Sequence, residues 1–148
     1  MTGHIDEVRV GEIMTRAPVV VRADTDLRRL KRLFATHDFN MFPVIDDRGA
    51  VMGVVSKLDF LRVFRPDRSR LRPDLRALWA ERVGDIMRRS VLSVRPDDPV
   101  ETAMDLMVEW QLRSLPVVER QDGVERLVGV VSRGDVLRCL MLDGDDPD

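Results

Sequence analysis

The chain has 148 residues, of which 44% are hydrophobic and only 5% aromatic, so its core must be built from aliphatic side chains. Its 24 basic and 26 acidic residues give a formal net charge of −2, which supplies no global basic field and argues against a nucleic-acid partner. The single cysteine, Cys139, excludes an intramolecular disulfide framework, and no apolar run approaches the roughly 18 residues needed to cross a bilayer, so we expect a cytoplasmic protein without a membrane partner.

The sequence contains an internal repeat, with the same features in the same order in two halves. At an offset of 73 residues, Val10–Met14 (VGEIM) corresponds to Val83–Met87 (VGDIM). After a three-residue insertion near Gln121 the offset becomes 76, and Gly53–Ser56 corresponds to Gly129–Ser132, both GVVS. Similarity that keeps its order over this length predicts two copies of one supersecondary unit.

Each repeat is predicted to begin with a buried strand, Pro18–Val21 in the first and Val91–Val94 in the second. A helix follows, because apolar residues then recur at helical spacing. These residues are Leu27, Leu30, Leu33 and Phe34 in the first repeat, and Val100, Ala103, Met104, Met107 and Val108 in the second. Asp98 is the candidate cap of the second helix, with Pro99 at its first position.

Two further strands and a last helix complete each repeat. The strands are predicted at Phe42–Ile45, Val51–Val55, Leu115–Val118 and Leu127–Val131, and the last helices are predicted to start at Ser56 and Ser132. Asp46–Gly49 is a good hairpin turn, and the insertion supplies the second turn. The order β-α-β-β-α, found twice, predicts a mixed α/β (α+β) fold.

An arginine-rich segment separates the repeats. The predicted organisation is a first domain at residues 10–66, a linker at residues 67–82 and a second domain at residues 83–142. Six arginines lie between Arg62 and Arg76, and Pro73 is placed to start a short helix. A solvated linker is the simplest interpretation. The alternative, nucleic-acid binding through these arginines, has few aromatic side chains on which bases would stack.

The residue patterns of enzymes and metal sites are absent from the sequence. His4 and His37 are the only histidines, and His37 is expected to end a helix. No cluster of histidine, cysteine and aspartate has the spacing of metal ligands, and neither a P-loop nor a dinucleotide-binding glycine motif is present. We therefore expect no catalytic residue, no metal site and no required cofactor.

A Gly-Val-Val-Ser-x-x-Asp motif occurs at the same point of both repeats. Its serine and aspartate are Ser56 and Asp59 in the first copy, and Ser132 and Asp135 in the second. Serine followed three residues later by an acid is also a helix capping box, which is the structural interpretation of either copy alone. The same geometry suits a ligand, because a helix N-terminus binds phosphate and an ionised aspartate accepts hydrogen bonds from ribose hydroxyls. Finding both copies, each with a neighbouring cation (Lys57 or Arg133), favours a binding role.

Together with Gly-x-Ile-Met near each start and a strand ending in Pro-Val-Val or Pro-Val-Ile, these motifs resemble those of cystathionine-β-synthase (CBS) domains. The resemblance covers nearly the whole chain. It implies two repeats packed with pseudo-twofold symmetry into a Bateman module with two ligand clefts. It also implies a non-catalytic regulatory function, with AMP, ADP or ATP as ligand, or less often S-adenosylmethionine or NAD. A homodimer and a regulated protein in trans are the partners that it implies.

The resemblance assigns residues to each cleft. One cleft would contain Ser132, Arg133, Asp135 and Arg113, with Met14, Thr15, Ala17 and Val19 against the base; the other would contain Ser56, Lys57, Asp59 and Asn40, with Met87, Arg88, Ser90 and Leu92. The serines and aspartates match the phosphate and ribose residues of the family. Because Asn40 lacks the charge of Arg113, we expect the Asp135 cleft to bind phosphorylated ligands more tightly.

A different class of function stays open beside ligand sensing. The chain would then be a dimerisation or protein-interaction module that needs no ligand, and its aspartates would be helix caps alone. In either case we expect homodimer contacts through apolar helix residues. Those considered are Leu33, Phe34, Met104, Met107 and Trp110.

Overall fold

The structure, a computed structural model, describes residues 7–65 and 75–142. In chain order its elements are α1 (Val10–Ile13), α2 (Leu27–Thr36), β1 (Met41–Ile45), β2 (Val51–Ser56), α3 (Lys57–Phe64), α4 (Leu75–Ala80), α5 (Val83–Ile86), α6 (Val100–Trp110), β3 (Ser114–Gln121), β4 (Val124–Ser132) and α7 (Arg133–Leu142). The strands form two separate two-stranded antiparallel sheets, β1 with β2 and β3 with β4. The mixed α/β class predicted from the sequence is confirmed.

The chain divides into two compact units that do not follow the repeat boundaries. The first, which we call the Asp135 unit, comprises Met1–Pro18 and Leu92–Asp148; the second, the Asp59 unit, comprises Val19–Val91. Each unit therefore takes its four-residue helix, α1 or α5, from the start of the other repeat. The backbone bonds of α1 fix this exchange, because the Val10 N–H donates to the Asp98 carbonyl at 2.8 Å.

The two hairpins differ in length because of the insertion. In the Asp59 unit, the Asp46 carboxylate accepts hydrogen bonds from the backbone N–H groups of Arg48 and Ala50 and closes a short turn. In the Asp135 unit, β3 and β4 pair as far as a turn at Asp122 and Gly123, which have φ angles of 52° and 77°. The strands there have 8 and 9 residues, against 5 and 6 in the other hairpin. The insertion thus lengthens the ladder, and the predicted strands were too short.

The first strand predicted in each repeat is wrong as an extended element. Val21 and Val94 each make a single parallel bridge, to Val44 and Val117, and no strand forms around either one. The prolines near these bridges have no backbone N–H to donate to a neighbouring strand. Ala17, at φ 52°, turns the chain just before the bridge at Val21. The backbone accordingly meets the sheet at one residue only.

The predicted cap of α6 is also wrong. The helix begins at Val100 with Pro99 as its N-terminal flanking residue, which makes no side-chain capping bond. The Asp98 carboxylate instead accepts a hydrogen bond from the Arg95 N–H at 2.8 Å, one turn earlier in the chain. Aspartate commonly closes such local turns. Asp98 therefore belongs to the turn before α6 and does not cap the helix.

Each unit has its own core, which is almost wholly aliphatic as the composition predicts. The buried residues of the Asp135 unit are Val10, Val94, Val100, Ala103, Met107, Leu115, Val117, Val131 and Val136. Those of the Asp59 unit are Val21, Leu27, Leu30, Phe42, Val44, Val55, Val83 and Met87. The first residue of each four-residue helix, Val10 or Val83, is fully buried, which ties these short segments to the units that receive them.

The linker contains the short helix predicted after Pro73. This helix is α4, where Leu78 is buried and the Trp79 ring centroid lies 4.7 Å from that of Phe64. The arginine-rich part, Arg65 to Arg72, falls outside the described residues except for Arg65, which is exposed. The contacts of Leu78 and Trp79 show that the C-terminal part of the linker packs within the Asp59 unit.

Two glycines allow the backbone of the exchanged segments to approach the hairpins. A Cβ atom on Gly129 would lie 2.8 Å from the Thr15 carbonyl oxygen, and one on Gly53 would lie 2.5 Å from the Arg88 carbonyl oxygen. Separations below 3.0 Å require the backbone to move. The Gly-Val-Val-Ser motif thus needs its glycine for a steric reason, not for an unusual φ angle.

We predict that Gly129→Ala destabilises the protein by about 1–3 kcal/mol, because the added methyl group overpacks the contact with Thr15. Gly134→Ala is the matched control: its Cβ would meet nothing closer than 3.6 Å, and alanine favours a helix. Urea unfolding measures both. A Gly129→Ala protein that unfolds at the parent's urea concentration would contradict the steric argument.

Candidate functional site

The Asp135 site lies where β4 passes into α7. The Ser132 N–H donates to one Asp135 carboxylate oxygen at 2.8 Å, and the Asp135 N–H donates to the Ser132 hydroxyl oxygen at 3.2 Å. The guanidinium of Arg138, one turn along α7, pairs with the other carboxylate oxygen. Asp135 is only 6% exposed although it is charged. The predicted capping box is therefore present and holds a carboxylate in a fixed, buried position.

The Asp59 site has the same frame and more donors. The Ser56 N–H and hydroxyl both donate to Asp59 Oδ2 at 2.9 Å, and the Asp59 N–H donates to the Ser56 hydroxyl oxygen at 3.1 Å. Arg88 Nε donates to Oδ1 at 3.1 Å, and an Arg62 guanidinium nitrogen lies 3.7 Å from the same atom. Asp59 is 5% exposed. Two arginines thus converge on one buried carboxylate.

The exchanged segments bring the expected neighbours to each aspartate. Thr15 and Val130 exchange two backbone hydrogen bonds, of 2.8 and 3.0 Å, which set Thr15 beside β4 two residues before Ser132. Arg88 and Val54 exchange the equivalent bonds, of 2.9 and 3.0 Å, in the Asp59 unit. The sequence-based grouping of Met14 and Thr15 with Asp135, and of Met87 and Arg88 with Asp59, agrees with this placement. Their contact with a ligand stays a prediction.

For the remaining predicted site residues, we describe only their unit and their exposure. The Asp135 unit contains Ala17, Arg113, Arg133 and Leu92, all exposed, and the Asp59 unit contains Asn40 and Ser90, both exposed, with Lys57 and Val19 half-buried. Val19 and Leu92 therefore belong to the units opposite to the aspartates with which they were grouped. Their contact with a ligand stays a prediction.

The two arginines near the start of α7, Arg133 and Arg113, differ in whether their guanidinium groups already have partners. Arg133 Nε donates to the Leu112 carbonyl at 2.7 Å, so this guanidinium is partly engaged. The Arg113 backbone carbonyl accepts from the Arg133 N–H at 2.9 Å, which fixes Arg113 beside the start of α7. Within residues 7–65 and 75–142, the Arg113 guanidinium makes no ion pair, with Glu109 or any other acid. Its charge remains available.

Sequence reasoning missed the arginines that pair with both aspartates. Arg62 and Arg138 each follow their aspartate by three residues, a helical spacing at which opposite charges meet, and this signal was available. The pairing of Arg88 with Asp59 joins residues 29 apart and had no local signal. The predicted contact of Arg88 with a base stays a prediction, and in this structure the Arg88 guanidinium pairs with Asp59.

Among the described residues, no group of three or more histidine, cysteine or acidic side chains is arranged to hold a metal ion. In the same ranges, no helix has both the length and the apolar character that a membrane span requires.

Two hairpin-and-helix units, each with a capped and buried aspartate, define a tandem module of one repeated domain. The CBS domain profile matches the chain twice, at residues 10–66 and 83–142, and the chain belongs to the CBS domain family. These two matches cover more than half of the chain.

The chain is similar to several known proteins over most of its length. The crystal structure of CBSX2 in complex with AMP is 33% identical, with a TM-score of 0.76, over 91% of this chain and 97% of that one. The chloroplastic CBSX2 protein of Arabidopsis thaliana is 31% identical, over 89% of this chain but 63% of its own length. MJ1426 of Methanocaldococcus jannaschii, an uncharacterised protein, is 28% identical over 88% of this chain and 94% of its own length.

A more distant solved structure has the same fold. The CBS domain pair of MJ0100, in complex with 5′-methylthioadenosine and S-adenosyl-L-methionine, is 20% identical, with a TM-score of 0.75, over 93% of this chain and 98% of that one. At this identity the likeness concerns the fold alone.

We predict that Ser56→Ala destabilises the protein more than Ser132→Ala does. Losing either cap costs about 1 kcal/mol, but Ser56 also donates its hydroxyl to the buried Asp59, and a hydrogen bond to a charged group contributes about 1.5–3 kcal/mol. Urea unfolding of the two variants gives the difference. Equal losses would mean that the Ser56 hydroxyl does not donate to Asp59.

Proposed function

We propose that the chain is a non-catalytic regulatory module, acting in the cytoplasm, that binds an adenine nucleotide or a related adenosyl ligand. AMP, ADP and ATP are the first candidates, with S-adenosylmethionine and NAD after them, and no cofactor is required. The observation that carries the proposal is the buried Asp135 carboxylate, held at the start of α7 beside the exposed Thr15 segment. The 33% identical CBSX2, crystallised with AMP, supports it.

The Asp135 site has the chemistry that a nucleotide requires. A carboxylate has about four acceptor positions, and two donors of this chain, Ser132 N–H and Arg138, use Asp135, so ribose hydroxyls can share it. At the start of α7 the N–H groups of Arg133 and Asp135 already donate within the chain, so the positive end of the helix dipole and the remaining first-turn N–H groups are what would attract phosphate. Arg113, whose charge is available, adds a cation that grips phosphate with two parallel hydrogen bonds. We assign the ribose to Asp135 and the phosphate to the start of α7 and Arg113.

The test is calorimetry with AMP on the parent and on two conservative variants. Asp135→Asn keeps an oxygen that can accept from the Ser132 N–H but removes the charge, and we expect it to abolish the tighter binding event. Asp59→Asn, the matched control in the other unit, should retain that event. If Asp59→Asn abolishes the tighter event, or if both variants bind like the parent, the site assignment is wrong.

The role of Arg113 has its own control ligand. Arg113→Gln should weaken AMP binding about ten- to a hundredfold, because a charge-assisted hydrogen bond contributes about 1.5–3 kcal/mol. Adenosine, which has no phosphate, should bind parent and variant equally. An equal loss for both ligands would assign Arg113 a structural role instead.

The alternative, a dimerisation or protein-interaction module without a ligand, is favoured by one outcome. In a thermal-shift screen with AMP, ADP, ATP, NAD and S-adenosylmethionine, a bound ligand at about a hundred times its Kd adds about 2.7 kcal/mol to the free energy of unfolding. A response to none of the five favours the alternative. We propose that the module regulates another protein in trans, whether or not it binds a ligand.

We also propose a homodimer, but through different residues from those first considered. Leu33, Phe34 and Met104 are partly buried against the core of their own units and Met107 is buried, which leaves only Trp110 of that set exposed, at 59%. Among the described residues of the Asp135 unit, the exposed large apolar residues are Leu92, Val108, Trp110, Leu137, Leu140 and Met141. This is apolar surface of the kind that interfaces cover.

We predict a dimer by light scattering at micromolar concentration, and a shift to monomer in Trp110→Glu. Because Trp110 is largely exposed, this change should leave the far-ultraviolet circular dichroism spectrum unchanged. Glu109→Gln, next to it on α6, is the control and should remain dimeric. A parent protein that is monomeric at this concentration would refute the prediction.

A further inference from the structure

Arg88 and Thr15 occupy equivalent positions in the two units, and only one of them is charged. The repeat offset of 73 pairs them in the sequence, and both exchange two backbone hydrogen bonds with the hairpin strand that leads to the capping serine. Their side chains therefore leave the backbone at equivalent places near Asp59 and Asp135. The chain has a guanidinium at one site where it has a hydroxyl at the other.

The Arg88 guanidinium uses the acceptor that a ligand would need. Asp59 Oδ2 accepts two hydrogen bonds from Ser56, and Oδ1 accepts one from Arg88 with Arg62 close by at 3.7 Å. Three hydrogen-bond donors and one further cation thus surround a group that has about four acceptor positions. Asp135 is surrounded by two donors, from Ser132 and Arg138. The arginine three residues on is common to both sites, so Arg88 and the Ser56 hydroxyl make the difference.

Displacing Arg88 is unfavourable for the buried aspartate. The Asp59 side chain is 4% exposed, so water cannot readily replace the guanidinium, whereas the Arg88 side chain is 51% exposed and gains little by leaving. A ribose hydroxyl that takes over this position replaces a hydrogen bond between two opposite charges with one from a neutral donor, which is weaker. On the scale of such bonds, ligand affinity falls about ten- to a hundredfold.

We infer that Arg88 closes the Asp59 site, so that at concentrations that fill the Asp135 site the module binds one adenosyl ligand and not two. The inference rests on the proposed function of the Ser-x-x-Asp sites. Arg88 acts as a specificity-determining residue built into the chain: its guanidinium occupies the carboxylate that ribose would use. The asymmetry arises from one position in the repeat and needs no difference in fold.

The test gives the Asp59 site the arrangement of its counterpart. In calorimetry with AMP, the parent should bind one equivalent per chain and Arg88→Thr two. Arg89→Thr, which removes the same charge from the neighbouring exposed residue, should bind one equivalent like the parent. The double variant Arg88→Thr with Asp59→Asn should return to one equivalent, which assigns the second event to Asp59. Thermal unfolding without ligand checks that each variant is folded.

The outcomes separate this inference from the proposed function. Two equivalents bound by the parent, one equivalent bound by Arg88→Thr, or a second event that survives Asp59→Asn would each overturn the closure by Arg88 and leave nucleotide binding intact. Absence of AMP binding by the parent, Arg88→Thr and Arg89→Thr alike, with no thermal-shift response to ATP or S-adenosylmethionine, would overturn the proposed function and the inference together.

Discussion

The close approach of an exchanged segment to a hairpin strand is the contact on which the rest of each unit depends. Two backbone hydrogen bonds, between Thr15 and Val130 or between Arg88 and Val54, join segments that are distant in sequence. They form only because Gly129 and Gly53 have no Cβ in the way. Because these bonds lie just before the capping serine, the same contact that completes the core also sets a side chain beside the buried aspartate. Fold and candidate site therefore share one steric requirement.

The buried aspartates combine two demands that usually conflict. As capping residues they must be held tightly, and the backbone N–H groups of Ser56 and Ser132 do so. For the proposed role as ligand acceptors they must keep oxygen lone pairs unused. The carboxylate meets both demands because it has more acceptor positions than a cap consumes. The two sites differ in the remaining acceptor positions of the carboxylate. These positions stay open at Asp135, whereas arginine takes them at Asp59.

Much of this arrangement was readable from the sequence, and what escaped did so for definable reasons. The helices with apolar residues at Leu27 and Leu30, the hairpins and both capping boxes follow from periodicity and local spacing, which report contacts within a few residues. The single bridge at Val21 was mistaken for a strand, because an apolar run does not reveal how many residues pair. The grouping of Thr15 with Asp135 came from family resemblance and not from spacing. Arg88 is exposed and Asp59 is buried, and their pairing produces no periodic pattern in the sequence.

The exchange of α1 and α5 has a consequence for how the protein is made. The Asp59 unit is complete once Val91 has been synthesised, so it can form while the rest of the chain is still on the ribosome. Val10, by contrast, packs in a core with Val131 and must wait until more than a hundred further residues have followed it. During that interval the N-terminal segment has no hairpin to join. Val10 and Val131 thus come together late, and the Asp135 unit is assembled only after β4 has been synthesised.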